Sequence, residues 1–181
     1  MPLTLCYYGN PILRQHCKKI AVITDEIRQL AREMIEMVDR HNAGGLAAPQ
    51  VGRPLRLFIA RTYTEDEAGN WSLSNPQVYI NPRLISHSEE CCVDMEGCLS
   101  IPGLRVEVER PCKIQIEAMD LEGQLFTEDL GGDSEVSCFN ARVRLHENDH
   151  INGTLMIDRM DPKERKALEP ALKALKEKYS S

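Results

Sequence analysis

The sequence lacks an apolar run long enough to cross a membrane. Residues 55–60, one of its longest apolar stretches, are interrupted by Arg56 and fall far short of the ~20 residues that a spanning helix needs. The first residues also lack the basic start and apolar stretch of a secretory signal. We therefore expect no membrane partner, and a location in a bacterial-type cytoplasm or an organellar matrix.

An excess of positive charge is also missing. The 28 acidic residues outnumber the 22 basic ones, which gives a formal charge of −6. This balance opposes broad electrostatic binding to nucleic acid or anionic lipid, and we expect no sequence-specific nucleic-acid partner. No repeat or low-complexity tract is present, and 42% hydrophobic with 28% charged residues is ordinary for a globular protein. The length of 181 residues predicts one domain over 1–181.

Seven cysteines form an odd, irregularly spaced set that does not suit a disulfide framework. They are Cys6, Cys17, Cys91, Cys92, Cys98, Cys112 and Cys138. We expect reduced thiols. Each is then either a small buried hydrophobic residue or a thiolate with a chemical role.

Periodicity predicts helices at both ends of the chain and a β-rich middle. The first helix follows a cap at Thr24 and stops at the glycines near residue 44, and a second covers about 137–152. Strands are predicted at 55–60, 77–80, 104–108 and 113–119, with a loop or hairpin tip at 65–70 and a hairpin turn at 120–124. The expected fold class is α+β: mixed, largely antiparallel sheets packed around a central metal-binding helix, with flanking N- and C-terminal helices.

A third helix is predicted from Pro162, capped by Asp161, and Pro170 is expected to kink or split it. Leu168, Leu172, Leu175 and Tyr179 would line one face. From residue 162 to 181, six Lys or Arg residues face three Glu residues. Such a segment most often forms a solvated surface. The alternative is a contact with ribosomal or other RNA phosphate.

The second helix carries the pattern His-Glu-x-x-His at His146, Glu147 and His150. Residues four apart on a helix project together, so the two imidazoles can hold one cation. Glu147 can then accept a proton from a water that the metal activates. The alternative interpretation is that all three merely decorate a helix surface.

Two histidines leave a catalytic metal short of a third protein ligand. No histidine follows His150, and no downstream acidic residue stands at a recognisable spacing. Cys98 follows Gly97, which permits a bend that presents the thiol, and the next backbone N–H, of Leu99, can point at a substrate oxygen. An inert buried cysteine explains the same residues, and spacing alone does not exclude Cys91 or Cys92.

Three stretches, in the same order along the chain, resemble the three motifs of the peptide deformylase family. They are Gly45-Leu46-Ala47-Ala48-Pro49-Gln50, Glu96-Gly97-Cys98-Leu99-Ser100 and His146-Glu147-Asn148-Asp149-His150. The likeness extends to residues 8–14. It implies hydrolysis of the formyl group from the N-terminal formylmethionine of nascent polypeptides, with release of formate.

The resemblance also implies roles for individual residues. Cys98, His146 and His150 would hold one divalent ion, with Fe²⁺ expected natively and Ni²⁺, Co²⁺ or Zn²⁺ as alternatives. Glu147 would be the general acid/base, and the Gln50 amide and the Leu99 N–H would stabilise the oxyanion. The substrate cleft would be lined by Gly45, Leu46, Gly97 and Arg142.

Some residues depart from the family pattern or leave a choice open. The methyl of Ala43 stands where the first glycine of a Gly-x-Gly motif is expected, and Asn148 fills a slot that is more often apolar. Arg142 lies four residues before His146, so it either shapes the methionine pocket or forms a structural ion pair. Arg110 and Asp149 are a predicted pair behind the metal. Two rival functions, a zinc endopeptidase and a metal-stabilised binding module, share the helix motif.

Overall fold

The computed structural model describes residues 3–179. The ends of the predicted 1–181 domain and of the basic C-terminal segment lie outside that range. The described α-helices are α1 (Asp25–His41), α2 (Glu135–Ile151) and α3 (Pro162–Tyr179). The strands are β1 (Gly45–Ala47), β2 (Leu57–Ala60), β3 (Tyr63–Glu65), β4 (Trp71–Leu73), β5 (Gln77–His87), β6 (Cys91–Cys98), β7 (Ile101–Pro111), β8 (Lys113–Met119) and β9 (Leu125–Gly131). Short 3-10 turns cover Pro11–Arg14, Ala48–Val51 and Met156–Asp158.

Five strands form one antiparallel sheet in the order β1-β2-β5-β8-β9. Two further antiparallel hairpins, β3–β4 and β6–β7, lie beside it. Within residues 3–179, parallel β-pairing is limited to an isolated bridge between Lys18 and Leu55. The predicted α+β class is confirmed.

Helix α2 lies at the centre, in contact with the main sheet, with β3 and with β7. Unlike a surface helix, it is buried on nearly all sides from Asn140 to Ile151, with Asn148 half-buried. Its buried positions include polar and charged residues as well as apolar ones. A buried polar group is tolerable only where it finds partners, so the surroundings of α2 must supply them.

The other two helices each bury one apolar face. Helix α1 packs its buried residues, among them Met34 and Val38, against strands β1, β2 and β5. Helix α3 buries Leu172, with Leu168 and Leu175 partly buried, in a cluster that includes residues of β7. Both faces agree with the predicted helical periodicity. No helix within residues 3–179 is long and apolar enough to cross a membrane.

Several predicted strand limits were too short, and five strands were not predicted: β1, β3, β4, β6 and β9. Strand β5 was predicted to stop at Ile80, before Pro82, but it runs on to His87 because a register shift between Ile80 and Arg83 accommodates the proline. Strand β7 is likewise longer than 104–108. Strand β6 was not predicted because, within residues 3–179, β7 is its one partner strand and its burial alternates without a clear apolar face.

One of the two outcomes predicted for Pro170 is wrong. Pro170 does not split α3, which continues from Pro162 to Tyr179. The proline removes the hydrogen bond to the Lys166 carbonyl, and because both residues are exposed, water can satisfy that carbonyl. Helix α1 ends at His41, close to the predicted stop near residue 44, and the residue in the left-handed conformation at its end is Asn42, with φ 48°, rather than a glycine.

Candidate metal centre

Three side chains with metal-binding atoms converge where β6 meets α2. Cys98 is the last residue of β6, and His146 and His150 lie one turn apart on α2. The Cys98 Sγ lies 3.3 Å from the His150 Nε2, and the ligand atoms of all three residues lie within 4.8 Å of one another. One sulfur and two imidazole nitrogens suit a borderline divalent ion such as Zn²⁺, Fe²⁺, Ni²⁺ or Co²⁺.

Glu96 holds His146 from behind. The His146 Nδ1 lies 2.9 Å from the Glu96 Oε2, and because a carboxylate only accepts, the imidazole donates through this nitrogen. When His146 is neutral, its Nε2 is the atom with a lone pair for a cation. Glu96 was given no role from the sequence, although the two-residue period of a strand places it on the same side of β6 as Cys98.

Arg110 links Glu96 to α2. Its guanidinium donates to both Glu96 oxygens at 2.8 and 2.9 Å, and to the Asp149 Oδ2 at 2.5 Å. Asp149 also accepts two hydrogen bonds from Arg159. The predicted pair of Arg110 and Asp149 is therefore confirmed, and it fixes α2 against the β6–β7 hairpin. Burial alone would raise the pKa of Glu96, but Arg110 and His146 lower it well below its usual value.

The two imidazoles have opposite protonation tendencies. Burial, with the positive charges of His146 and Arg110, holds the pKa of His150 well below its usual value. Burial alone would lower the pKa of His146 as well, but its contacts with Cys98 and Glu96 raise it. These surroundings favour the neutral form of His150, which is the form that can ligate a cation. A cation entering the site would displace a proton from His146 or Cys98.

Glu147 projects into the same place with an unpaired oxygen. It is buried, and its Oε2 has no hydrogen-bond partner among residues 3–179. Burial raises the pKa of Glu147 to about 7. The carboxylate fits there because residue 45 is a glycine: a Cβ at Gly45 would lie 2.6 Å from the Glu147 Oε1. Gly45 was predicted as a cleft residue, and its contact with Glu147 is a second role.

The Gln50 side chain is locked beside Cys98. Its Oε1 accepts from the Ala47 N–H at 2.8 Å, and its Nε2 donates to the Ser100 hydroxyl at 3.1 Å. The same Nε2 lies 3.5 Å from the Cys98 Sγ. These contacts fix which end of the amide is the donor and turn its N–H groups towards the thiol.

A cleft of about 760 Å³ opens onto these groups. It is lined by Gly45, Gln50, Gly97, Cys98, Leu99, Arg142, His146 and Glu147, among others. Leu46 is different, because its side chain is fully buried in the core cluster beneath α1. Leu46 does not line the cleft, and its role in substrate binding remains a prediction.

Arg142 lies at the floor of this cleft and is 2% exposed. Its guanidinium donates to Glu96 at 2.9 Å, to the Val108 carbonyl at 2.7 Å and to the Cys92 carbonyl at 2.8 Å. These contacts are the ones expected if Arg142 forms a structural ion pair. Arg142 nevertheless also lines the cleft. The role of Arg142 in substrate binding remains a prediction.

Three convergent ligand atoms beside a buried carboxylate, at the floor of an open cleft, form the arrangement typical of a metal-dependent hydrolase. Comparison with known proteins names the family. The family model described as polypeptide deformylase matches residues 2–166. The chain therefore belongs to the polypeptide deformylase family, the metal-dependent hydrolases that remove the formyl group from nascent polypeptides.

Individual relatives agree along most of the chain. A peptide deformylase of Synechocystis is 40% identical over 166 residues, which cover 88% of this chain and 80% of the relative. That of Borreliella burgdorferi is 40% identical over 94% of this chain and 96% of its own length. The crystal structure of a plant peptide deformylase aligns with a TM-score of 0.85 at 32% identity, over 99% of this chain and 91% of that one. These results favour deformylase over the endopeptidase and binding-module alternatives.

Proposed function

We propose that Cys98, His146 and His150 together hold one divalent cation, and that formamide hydrolysis takes place beside it. The observation that carries this proposal is the convergence of the three ligand atoms within 4.8 Å, next to the unpaired carboxylate oxygen of Glu147. The cation, when bound, would supply Lewis acidity that polarises the formyl carbonyl and increases the acidity of the attacking water.

Glu147 moves the proton in this scheme. Its carboxylate accepts a proton from the attacking water while the water oxygen bonds to the formyl carbon. The same proton then passes to the leaving nitrogen as the C–N bond breaks, which gives formate and a free N-terminal amine. A pKa of about 7 suits a group that must both accept and release a proton near neutrality.

Gln50 and Leu99 would stabilise the negative charge that develops on the formyl oxygen. The Gln50 amide is held with its N–H groups towards Cys98 by Ala47 and Ser100. The Leu99 backbone lies in the turn after Cys98, at the wall of the cleft. Because both donors belong to well-packed segments, they are oriented before substrate binds. Loss of one such donor typically lowers the rate ~10²–10³-fold.

The peptide part of the substrate would lie between β1 and the β6–β7 turn. Strand β1, which carries Gly45 and Leu46, is an edge strand of the main sheet, so a peptide backbone can add to it. Gly97 lines the opposite side of the cleft. Arg142 would shape the floor of the pocket, held in place by Glu96 and two backbone carbonyls.

Formate release separates this function from peptidase activity. Purified protein incubated with formyl-Met-Ala-Ser should release formate, and the acetylated twin peptide should remain intact. Glu147→Gln should abolish release and leave the metal content unchanged. Cleavage of an internal bond, or equal hydrolysis of the acetylated peptide, would overturn the proposal.

We propose Fe²⁺ as the native ion, with Ni²⁺, Co²⁺ or Zn²⁺ as substitutes. The donor set of one thiolate and two imidazoles supports several of these metals. An Fe²⁺–thiolate site is sensitive to oxygen, so activity in air should decline faster for Fe-loaded than for Ni-loaded protein. Equal rates of decline, or anaerobic purification with another metal bound, would contradict the assignment.

We also propose that the exposed basic face of α3 contacts the ribosome, in a bacterial-type cytoplasm or an organellar matrix. Lys163, Lys166 and Lys173 are exposed along this helix, which supports a contact with RNA phosphate. Co-sedimentation with ribosomes should weaken with salt and in a variant with all three lysines changed to Gln. Unchanged sedimentation of that variant would contradict the contact.

A further inference from the structure

A second group of sulfur atoms lies away from the cleft. The thiols of Cys92, Cys112 and Cys138 are free, and their Sγ atoms lie within 4.8 Å of one another. Cys92 belongs to β6, Cys112 to the connection between β7 and β8, and Cys138 to the first turns of α2. The sequence does not reveal this cluster because the three residues are 20 and 26 positions apart and form no Cys-x-x-Cys motif.

The spacing of the sulfurs fits one small cation. Zinc–sulfur bonds of about 2.3 Å in tetrahedral geometry place neighbouring sulfurs about 3.8 Å apart. Sulfurs already within 4.8 Å reach that separation by small side-chain rotations. Cys112 is buried, whereas Cys92 and Cys138 are half-buried. The cluster is therefore shielded on one side and reachable from solvent on the other.

Burial and the neighbouring thiols raise the pKa of Cys112 to about 12, so a cation that binds here must displace its proton. The Arg142 Nη2 lies 3.6 Å from the Cys92 Sγ. Cys138 lies near the N-terminus of α2, where the helix dipole favours negative charge. The Cys138 Sγ donates to the Gly132 carbonyl oxygen at 3.1 Å, a hydrogen bond that a bound cation would replace. A positive side chain and a helix N-terminus thus lie beside the atoms that would have to lose protons.

Two backbone segments, the end of β9 and the residue between β7 and β8, pass very close to each other beside the cluster. A Cβ at Gly131, which has φ 99°, would lie 1.9 Å from the Cys112 carbonyl oxygen. Only glycine therefore allows the end of β9 to pass so close to Cys112, and the chain then leads through Gly132 into α2. This path brings Cys138 to the other two thiols.

We propose that Cys92, Cys112 and Cys138 form a second metal site for a soft, thiophilic cation, with Zn²⁺ as the probe. Thiolates select such cations over hard ones. The bound ion would join the start of α2 to β6 and to the β7–β8 connection. Arg142, which contacts both Cys92 and Glu96, separates this site from the candidate catalytic centre. The proposal does not depend on the function of that centre.

Counting bound zinc tests the second site directly. The full chain is dialysed against Zn²⁺ with a reductant and without oxygen, and metal and protein are measured. We expect two ions per chain, falling to one in Cys92→Ser and in Cys138→Ser. Cys91→Ser is the matched control, because Cys91 is exposed, adjacent to Cys92 and outside the cluster, and it should retain two.

A spectroscopic measurement isolates the cluster from the catalytic centre. In a Cys98→Ser background, Co²⁺ should still give thiolate-to-metal charge-transfer absorption, and adding Cys138→Ala should diminish it. Circular dichroism identifies variants that remain folded. One zinc per native chain, a second ion that survives both serine substitutions, or a disulfide within the cluster under these reducing conditions would overturn the proposal.

Discussion

Glu147 occupies space that exists because residue 45 has no side chain. A Cβ at that position would lie 2.6 to 2.9 Å from three atoms of the Glu147 carboxylate arm. Gly45→Ala should therefore displace the carboxylate and lower kcat/KM by ~10²-fold, since a shift of about 1 Å is enough for such a loss. Steady-state formate release, with metal content measured in parallel, checks this.

Gly44→Ala is the matched neighbour for that experiment. Its Cβ would meet the Tyr63 hydroxyl at 2.9 Å, which is the far end of a side chain that can move. We expect a smaller loss than for Gly45→Ala. Equal losses in the two variants, or loss of metal in Gly45→Ala, would show that Gly45 does not act by leaving room for the Glu147 carboxylate.

Glu96 is the carboxylate that connects the buried basic side chains around the candidate metal centre. It accepts from His146, Arg110 and Arg142 in a buried environment. Glu96→Gln keeps the shape but removes the negative charge, so the orientation of His146 weakens. We expect metal affinity to fall ~10–100-fold, as measured by competition with a chelator. Glu109→Gln, an exposed change next to Arg110, should leave affinity unchanged; equal affinity in both variants would contradict this role.

At the scale of elements, Asp158 joins three segments. It accepts hydrogen bonds from Arg14, from the Leu155 N–H at 2.8 Å and from Arg165 of α3 at 3.0 Å. Burial alone would raise the pKa of Asp158, but these partners lower it overall. A carboxyl with a lowered pKa stabilises the fold above its unfolded pKa of about 3.9, and that contribution is lost as pH falls through the lower folded value.

Asp158→Asn should therefore reduce the free energy of unfolding at pH 7 and have little effect at the acid end. Because the carboxylate is partly exposed, we expect a loss of about 1 kcal/mol or less. Urea denaturation at pH 7 and below pH 3 measures both values. A difference between Asp158→Asn and the native protein that persists unchanged below pH 3 would contradict the ionic origin.

At the scale of the whole molecule, the candidate metal centre lies at the junction of α2 and the β6–β7 hairpin, and three apolar clusters make up the core of the described residues. A chain of 181 residues buries enough surface to fold without a structural metal. Chelation should therefore abolish formate release and leave the far-ultraviolet circular dichroism unchanged, and added Fe²⁺ or Ni²⁺ should restore activity. Unfolding on chelation would instead indicate a mainly structural metal.

Much of the site was predictable from local pattern. The four-residue spacing of His146 and His150 is a property of any helix, and the motif resemblance pointed to Cys98. Strand β6, which carries Cys98, was not predicted, because a two-stranded hairpin with one half-exposed face has no strong period. Pro170 was expected to kink or split α3, but it does not split the helix, because Lys166 is exposed and its unpaired carbonyl can bond to water.

The sequence by itself determined the α+β class, the helix that carries the two histidines and the family, because these depend on short-range periodicity and on motifs of adjacent residues. Only the tertiary structure decided that Glu96 pairs with Arg110 and His146, that Gly45 makes room for Glu147, and that Cys92, Cys112 and Cys138 meet. Those contacts join residues far apart in the chain, and their energies depend on burial, which no local pattern records.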